Sequence, residues 1–366
     1  MLVGIPTEIK NNENRVAITP AGVHELTRRG HDVVVQAGAG TGTGIGDDAY
    51  RDAGARIEKD VEKVWAEAEL LLKVKEPIEA EYPRLRDGQV LFTYLHLAAS
   101  RPCTDALLKA GTTAIAYETV QLADRSLPLL QPMSEVAGRL APLVGAYHLM
   151  AANGGAGMLL GGVPGTPRAK VTVIGGGVAG EHAAANALGM GADVTIVDIS
   201  IPRLRQLEVR FQGAVQTRPS NAYEIAALIA DSDLVVGSVL IPGEKAPKLV
   251  TDDMVATMRP GSVLVDIAID QGGCFEGSRP TTHDDPTFRV HDSIYYCVAN
   301  MPGAVPGTST RALTNATLPY VVALADKGWE KALAADPALA LGLNAHAGKV
   351  YNAGVAAAFD MKLATL

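Results

Sequence analysis

Three glycines carry the first chemistry in this chain. Gly175, Gly177 and Gly180 follow the apolar run Val-Thr-Val-Ile at 171–174, and the alanine-rich stretch 181–190 follows them. A second apolar run, 193–197, ends in Asp198. Strand, glycines, helix, strand and acid in that order form a dinucleotide fingerprint; the glycine spacing alone would say little. Gly175 permits the tight turn, Gly177 lets main-chain amides approach a pyrophosphate, and Gly180 lets the helix pack closely on the strand. The phosphates would sit at the positive end of the helix dipole. Asp198 stands about 20 residues past the third glycine, where a carboxylate accepts hydrogen bonds from ribose hydroxyls and repels a 2′-phosphate. The pattern predicts a site for NAD rather than NADP.

The elements that must position these groups lie on both sides of the motif. Its sheet resumes with apolar runs at 234–239, 262–267 and 295–298. In open α/β sheets ligands collect beyond the carboxyl ends of the strands. Asp198, Val239, Leu240, Ile267, Asp270, Asn300 and Met301 should therefore border one crevice. The first 130 residues alternate strand and helix independently, with strands expected at 2–6, 32–36, 70–74, 89–94 and 113–117 and helices at 61–68 and 103–110. Thr19-Pro20 opens a further helix, with Thr19 as N-cap and Pro20 in the first turn. Residues 134–150 read as a helix kinked at Pro142, and helix resumes at 309–327 after a Pro/Gly/Ser/Thr connector, 303–310. The expectation is an α/β protein of two Rossmann-like domains with parallel sheets, separated by an active-site cleft. Residues 1–130 with 307–366 make a discontinuous substrate and catalytic domain, and 131–306 the NAD-binding domain.

Composition agrees with that scale. The 366 residues are 48% hydrophobic and 20% charged, enough for two cores at about 100–200 residues each. A net charge of −8, with Lys and Arg scattered, argues against nucleic acid and against a polybasic membrane anchor. The N-terminal residues lack the pattern of a signal peptide. The uncharged stretch 143–163 is long enough to raise a membrane span, but its His148, Asn153 and glycines suit a buried helix running into a loop. Three widely spaced cysteines, Cys103, Cys274 and Cys297, show no metal-ligand pattern and point to a reducing, cytoplasmic setting.

Several runs then repeat a known pattern in order along nearly the whole chain. They are Gly-Ile-Pro-Thr-Glu (4–8), Asn-Arg-Val-Ala-Ile-Thr-Pro (14–20), Leu-Lys-Val-Lys-Glu-Pro (72–77), Leu-Phe-Thr-Tyr-Leu-His-Leu-Ala (91–98) and Ala-Tyr-Glu-Thr-Val (116–120). Pro-Met-Ser-Glu-Val-Ala-Gly-Arg (132–139), Lys-Ala-Pro-Lys-Leu-Val (245–250), Val-Asp-Ile-Ala-Ile-Asp-Gln-Gly-Gly (265–273) and Cys-Val-Ala-Asn-Met-Pro (297–302) complete the set. The sequence resembles the L-alanine dehydrogenase family, which is related to the NAD-binding part of proton-translocating transhydrogenase.

The resemblance implies an NAD-dependent, reversible deamination of L-alanine to pyruvate and ammonium. It makes His96 the acid/base, Asp270 a second catalytic carboxylate beside the nicotinamide, and Arg15 and Lys75 the binders of the substrate carboxylate and reacting oxygen. By themselves these four read more plainly: a structural histidine at a strand end, a loop cap, a surface ion pair and a solvated strand edge. The same resemblance lines the NAD site with Ser134, Val178, Ala179, Asp198, Arg203, Ser220, Val239, Leu240, Ile267, Asp270, Val298, Asn300 and Met301. Arg203 stands where lysine is common, and Arg is not simply a longer Lys. Ala323 and Lys327 replace a Glu/His metal pair of some relatives, so no metal is expected. Glu118, His148, His283 and the cysteines are read as structural. The family forms homohexamers, with a dimer as the alternative here. Rival functions are reductive amination of glyoxylate or another 2-oxo acid, and a transhydrogenase-like NAD-binding subunit.

Overall fold

The computed structural model describes residues 1–239 and 246–365. Its chain divides into two compact units, Met1–Met133 with Val305–Leu366, and Ser134–Ala304. The first unit opens with β1 (Leu2–Ile5), β2 (Asp32–Gln36), β3 (Arg56–Glu58), β4 (Leu70–Leu72), β5 (Val90–Thr93) and β6 (Thr113–Ala116). The second holds β7 (Lys170–Ile174), β8 (Asp193–Asp198), β9 (Gln216–Pro219), β10 (Leu234–Gly237), β11 (Val263–Asp266), β12 (Thr287–Val290) and β13 (Ser293–Tyr296). The chain returns to the first unit with β14 (Leu343–His346) and β15 (Lys349–Val350).

Both sheets share one plan. In the first the order is β15-β14-β6-β5-β4-β1-β2-β3, and β1 to β6 are all parallel. In the second the order is β12-β13-β11-β10-β7-β8-β9, parallel except for β12. Each parallel set is doubly wound in the order 3-2-1-4-5-6, so each sheet reverses direction once, between β1 and β4 and between β7 and β10. A ligand crevice belongs at that reversal. Central strands such as β4, β10 and β11 are buried along their whole length, as sheets covered on both faces require. Their side chains anchor two cores, one around Trp65, Leu71 and Leu91, the other around Val235, Leu264 and Phe275. Each fully buried aliphatic side chain contributes about 1.5–3 kcal/mol.

The sheets are not wholly parallel as the sequence suggested. Strand β12 pairs antiparallel with β13, and β14 runs antiparallel to both β6 and β15. The reason is local: β14 and β15 are joined by Ala347 and Gly348, both at positive φ, the mark of a two-residue hairpin turn. A hairpin can only reverse the chain, whereas parallel pairing needs a long crossover. The helix expected at 134–150 is Gln131–His148, and it runs on through Pro142. A short turn, Ala151–Asn153, follows it, so 143–163 is not one helix. Among the described residues no helix is long and apolar enough to cross a membrane. The helix expected from 309 begins at Pro306, because proline's fixed φ suits a first turn whose amide needs no partner.

Candidate active site

In the first unit the residues singled out by sequence follow the carboxyl ends of β1, β4 and β5. After β1 the chain carries Glu8, Glu13 and Arg15, all buried. The Arg15 guanidinium is held by Glu13, Nε donating to Oε1 at 2.7 Å and Nη2 to Oε2 at 2.5 Å, while Nη1 lies 3.0 Å from the Met133 thioether. Burial works to lower the Arg15 pKa, but the bond to Glu13 more than offsets this and raises it. The surface ion pair that Arg15 first suggests is in fact a fully enclosed one. After β4 come two buried lysines with different surroundings. Lys73 is completely buried, and its ammonium donates to Glu8 at 2.9 Å and to Glu81 at 2.8 Å. Lys75 is only 6% exposed, yet among the described residues its ammonium has neither an ion pair nor a hydrogen-bond partner. A solvated strand edge is therefore excluded for Lys75. The charge acting with it is the Glu76 carboxylate, which leaves the ammonium able to meet an anion or a polar oxygen.

His96 follows β5, half-buried, with φ 47° and ψ 36° in the left-handed region. That backbone conformation costs a residue with a side chain about 1–2 kcal/mol. Its ring lies parallel to that of Tyr94, interplanar angle 14° and centroids 6.0 Å apart. Glu76 ties these groups together. Burial works to raise its pKa, but Lys75, His96 and Lys10 hold it below the ordinary carboxylate value. One Glu76 oxygen pairs with Lys10, and the other is buried with no hydrogen-bond partner among the described residues. Arg15 in turn feels the Tyr94 hydroxyl. Arg15, Tyr94, His96, Glu76 and Lys75 thus form one connected set.

In the second unit the residues assigned to the cofactor follow the carboxyl ends of its strands. Gly175 leaves β7 at φ 99° and Gly177 caps the helix Val178–Gly189, whose first turn holds Val178, Ala179 and Gly180. A Cβ at Gly180 would sit 1.8 Å from the Gly175 carbonyl oxygen, whereas one at Gly177 would meet nothing. Crowding behind the turn and open space before it fit a pyrophosphate at the helix N-terminus. Asp198 ends β8; its carboxylate accepts the Gly176 amide at 2.7 Å and the Ser200 amide at 2.8 Å. Arg203 donates from Nε to the Gly176 carbonyl at 2.6 Å and pairs with Glu181. Ser220 follows β9, and its amide donates to the Asp198 carbonyl. Val239 follows β10, and Ile267 follows β11, donating its amide to Gly237. Asp270 lies exposed on the turn Ile269–Gln271. Val298, Asn300 and Met301 follow β13, with Asn300 at φ 69°. Ser134 lies in the first turns of Gln131–His148. Leu240 falls outside the described residues.

Among the carboxylates that hold these loops, sequence reasoning read Glu118 as structural and passed over Glu8 and Asp266. Glu8 accepts the Val74 amide, Glu118 the amides of Leu95 and His96, and Asp266 those of Ala268 and Cys274. Burial raises the pKa of Glu8 and of Asp266, against the hydrogen bonds that favour their charged forms. Glu8 and Glu118 lie inside motif runs already singled out, but a glutamate whose partner is a distant main-chain amide leaves no spacing to detect.

Two family descriptions match, "Alanine dehydrogenase/PNT, N-terminal domain" over residues 4–137 and "Alanine dehydrogenase/PNT, C-terminal domain" over 141–353. An alanine dehydrogenase of Mycolicibacterium smegmatis is 66% identical over 361 residues, covering 99% of this chain and 97% of that protein. Among solved structures an L-alanine dehydrogenase superposes with a TM-score of 0.95 at 50% identity, covering 98% of this chain and 99% of that one. A transhydrogenase from Sinorhizobium meliloti superposes with a TM-score of 0.82 at 29% identity, covering 96% and 99%.

Proposed function

The chain belongs to the alanine dehydrogenase/PNT family, and from that premise we propose how its residues divide the work of the reaction. It is a nicotinamide-dependent amino-acid dehydrogenase that reversibly deaminates L-alanine to pyruvate and ammonium. Full-length identity to alanine dehydrogenases disfavours glyoxylate amination and a transhydrogenase-like subunit. Alanine, water and the oxidised dinucleotide give pyruvate, ammonium, the reduced dinucleotide and a proton. The observation that supports the assignment of residues is that the enclosed Lys75 and His96 both act on the one Glu76 carboxylate.

NAD is the proposed dinucleotide, held by Ser134, Gly175, Gly177, Val178, Ala179, Gly180, Asp198, Arg203, Ser220, Val239, Leu240, Ile267, Asp270, Val298, Asn300 and Met301. When bound, its nicotinamide exchanges a hydride with the substrate Cα. Asp198 supports NAD over NADP, since a carboxylate there repels a 2′-phosphate. The commitment of Arg203 to Glu181 and Gly176 points the same way, because it ties up the nearby cation. Arg15, whose guanidinium Glu13 holds in place, draws the substrate carboxylate. Lys75 meets the reacting oxygen and stabilises its negative charge as it develops. His96 is the proposed proton-transfer group, because an imidazole can both give and take a proton near neutrality. It takes a proton from the water that adds to the imine carbon and returns one to the departing nitrogen. Asp270 orients that water. The first unit is thereby the substrate domain and the second the NAD domain, in a cytoplasmic homohexamer.

The decisive assay is reduced-dinucleotide formation with a panel of L-amino acids at alkaline pH, with NAD and NADP compared. Alanine and NAD should dominate; equal turnover with both cofactors would sink the Asp198 argument. Asp198→Ala should then narrow the preference by weakening NAD and admitting NADP.

A further inference from the structure

Glu118 stands on the turn Tyr117–Thr119 just past β6, the strand that pairs with β5. Its carboxylate reaches across to the end of β5. Oε1 accepts the amide of Leu95 at 3.1 Å and that of His96 at 2.6 Å, and Oε2 accepts the Leu95 amide at 3.2 Å. Two successive amides converging on one anion make a concave main-chain nest, here satisfied by a side chain of the same unit. The residue at the centre of that nest is the one whose backbone is unfavourable, His96 at φ 47°. Left-handed backbone in a residue with a Cβ persists only where its surroundings over-determine it. The Ala99 amide, donating to the His96 carbonyl at 3.0 Å, tightens the next turn but does not touch the His96 amide. Glu118 does.

The backbone torsions at residue 96 set where its Cβ points, and Cβ sets the arc on which the imidazole can lie. If the Leu95 and His96 amides lost their acceptor, His96 would relax toward negative φ, and the ring would leave the face of Tyr94. We propose that Glu118 is a positioning residue for the reaction: through two main-chain amides it fixes the direction in which His96 presents its imidazole to the substrate. The proposal rests on the reading of His96 as the proton-transfer group.

The test is a double-mutant cycle in the full-length protein. Glu118→Ala, Glu118→Gln, His96→Ala and the two double variants are compared by steady-state kinetics in both directions, with NADH binding followed by fluorescence. Misplacing a catalytic group by about 1 Å costs about 100-fold, and a kcat loss of that order is expected for Glu118→Ala. KM for alanine and NADH affinity should hold, since Arg15, Lys75 and the glycine turn are untouched. Glu118→Gln keeps one acceptor oxygen within reach of both amides, so its loss should be smaller, about tenfold. Neither change should slow an enzyme that already lacks His96, because Glu118 acts only through it. Wild-type kcat in Glu118→Gln, or a loss that persists undiminished in the His96→Ala background, overturns the proposal. If Glu118→Ala does not fold, the Glu118→Gln cycle decides alone. Undiminished kcat in His96→Ala overturns the proton-transfer reading itself, whatever the Glu118 variants do.

Discussion

Replacing His96 by alanine removes the group we propose for proton transfer and leaves the glycine turn and Asp198, which belong to the other unit, as they are. General acid–base groups contribute about 10²–10⁴-fold. His96→Ala should therefore lose kcat on that scale while NADH still binds in a fluorescence titration. Arg15→Ala should behave differently, raising KM for alanine and pyruvate, because a carboxylate clamp acts in ground and transition state alike. Loss of the Glu13 partner is a further cost of that variant, visible as a lower melting temperature. Glu76 gives a pH signature. Its pKa in the folded protein is lowered from the ordinary 4.5, so its stabilising effect is complete above that value and lost as pH falls through the folded one. Glu76→Gln should be less stable than wild type at pH 7 in urea unfolding, and the gap should shrink as the pH falls below 4.5 and through the folded value. Among single residues, His96, Arg15 and Lys75 were singled out through their motifs, whereas the burial of Arg15 and Lys75 was not foreseen. Alternating Lys73-Val74-Lys75-Glu76 has the form of a half-solvated strand, and only the enclosure of both lysines in the first unit reveals otherwise.

At the scale of elements, the turn from β7 into Val178–Gly189 depends on how closely the helix approaches the strand. Gly180→Ala places a methyl 1.8 Å from the Gly175 carbonyl oxygen, so the turn must open. NADH affinity should fall by at least tenfold in a binding titration, a loss of about 1.4 kcal/mol, with the first unit's melting transition unaffected. The buried parallel strands were readable within one or two residues because their apolar runs are continuous. The edge strands were not. β3 (Arg56–Glu58) and β9 (Gln216–Pro219) are half or fully exposed and carry charged or polar residues, so no apolar run marks them. Helix starts slipped for a related reason. Thr19 does occupy an N-cap, but its hydroxyl makes no capping bond, while Ser100 caps Arg101–Ala110 with a bond to Cys103 that the apolar pattern did not signal. The repeated 3-2-1-4-5-6 order of the first sheet, which decides where Arg15, Lys75 and His96 meet, is a long-range property that local text does not hold.

For the whole molecule the family resemblance makes six copies of the 38.2 kDa chain the expected particle. The chain's own fold leaves Leu143, Tyr147 and Met150 exposed at 54%, 55% and 49%, at helical spacing along and just past Gln131–His148. Such a stripe suits burial against another copy. Light scattering at micromolar concentration should return the hexamer mass, and Leu143→Glu should shift it to smaller species; a monomeric wild type would count against the assembly. One feature of the site loops also bears on how this protein can vary. Glu8, Glu118, Asp198 and Asp266 grip their loops by main-chain amides at positions 74, 95, 96, 176, 200, 268 and 274. An amide is common property of nineteen amino acids, so these grips are indifferent to which side chain the loop displays. Evolution is therefore at liberty to rewrite what the loops present, and hence the chemistry, without redrawing their path. Proline is the one letter that this arrangement forbids there.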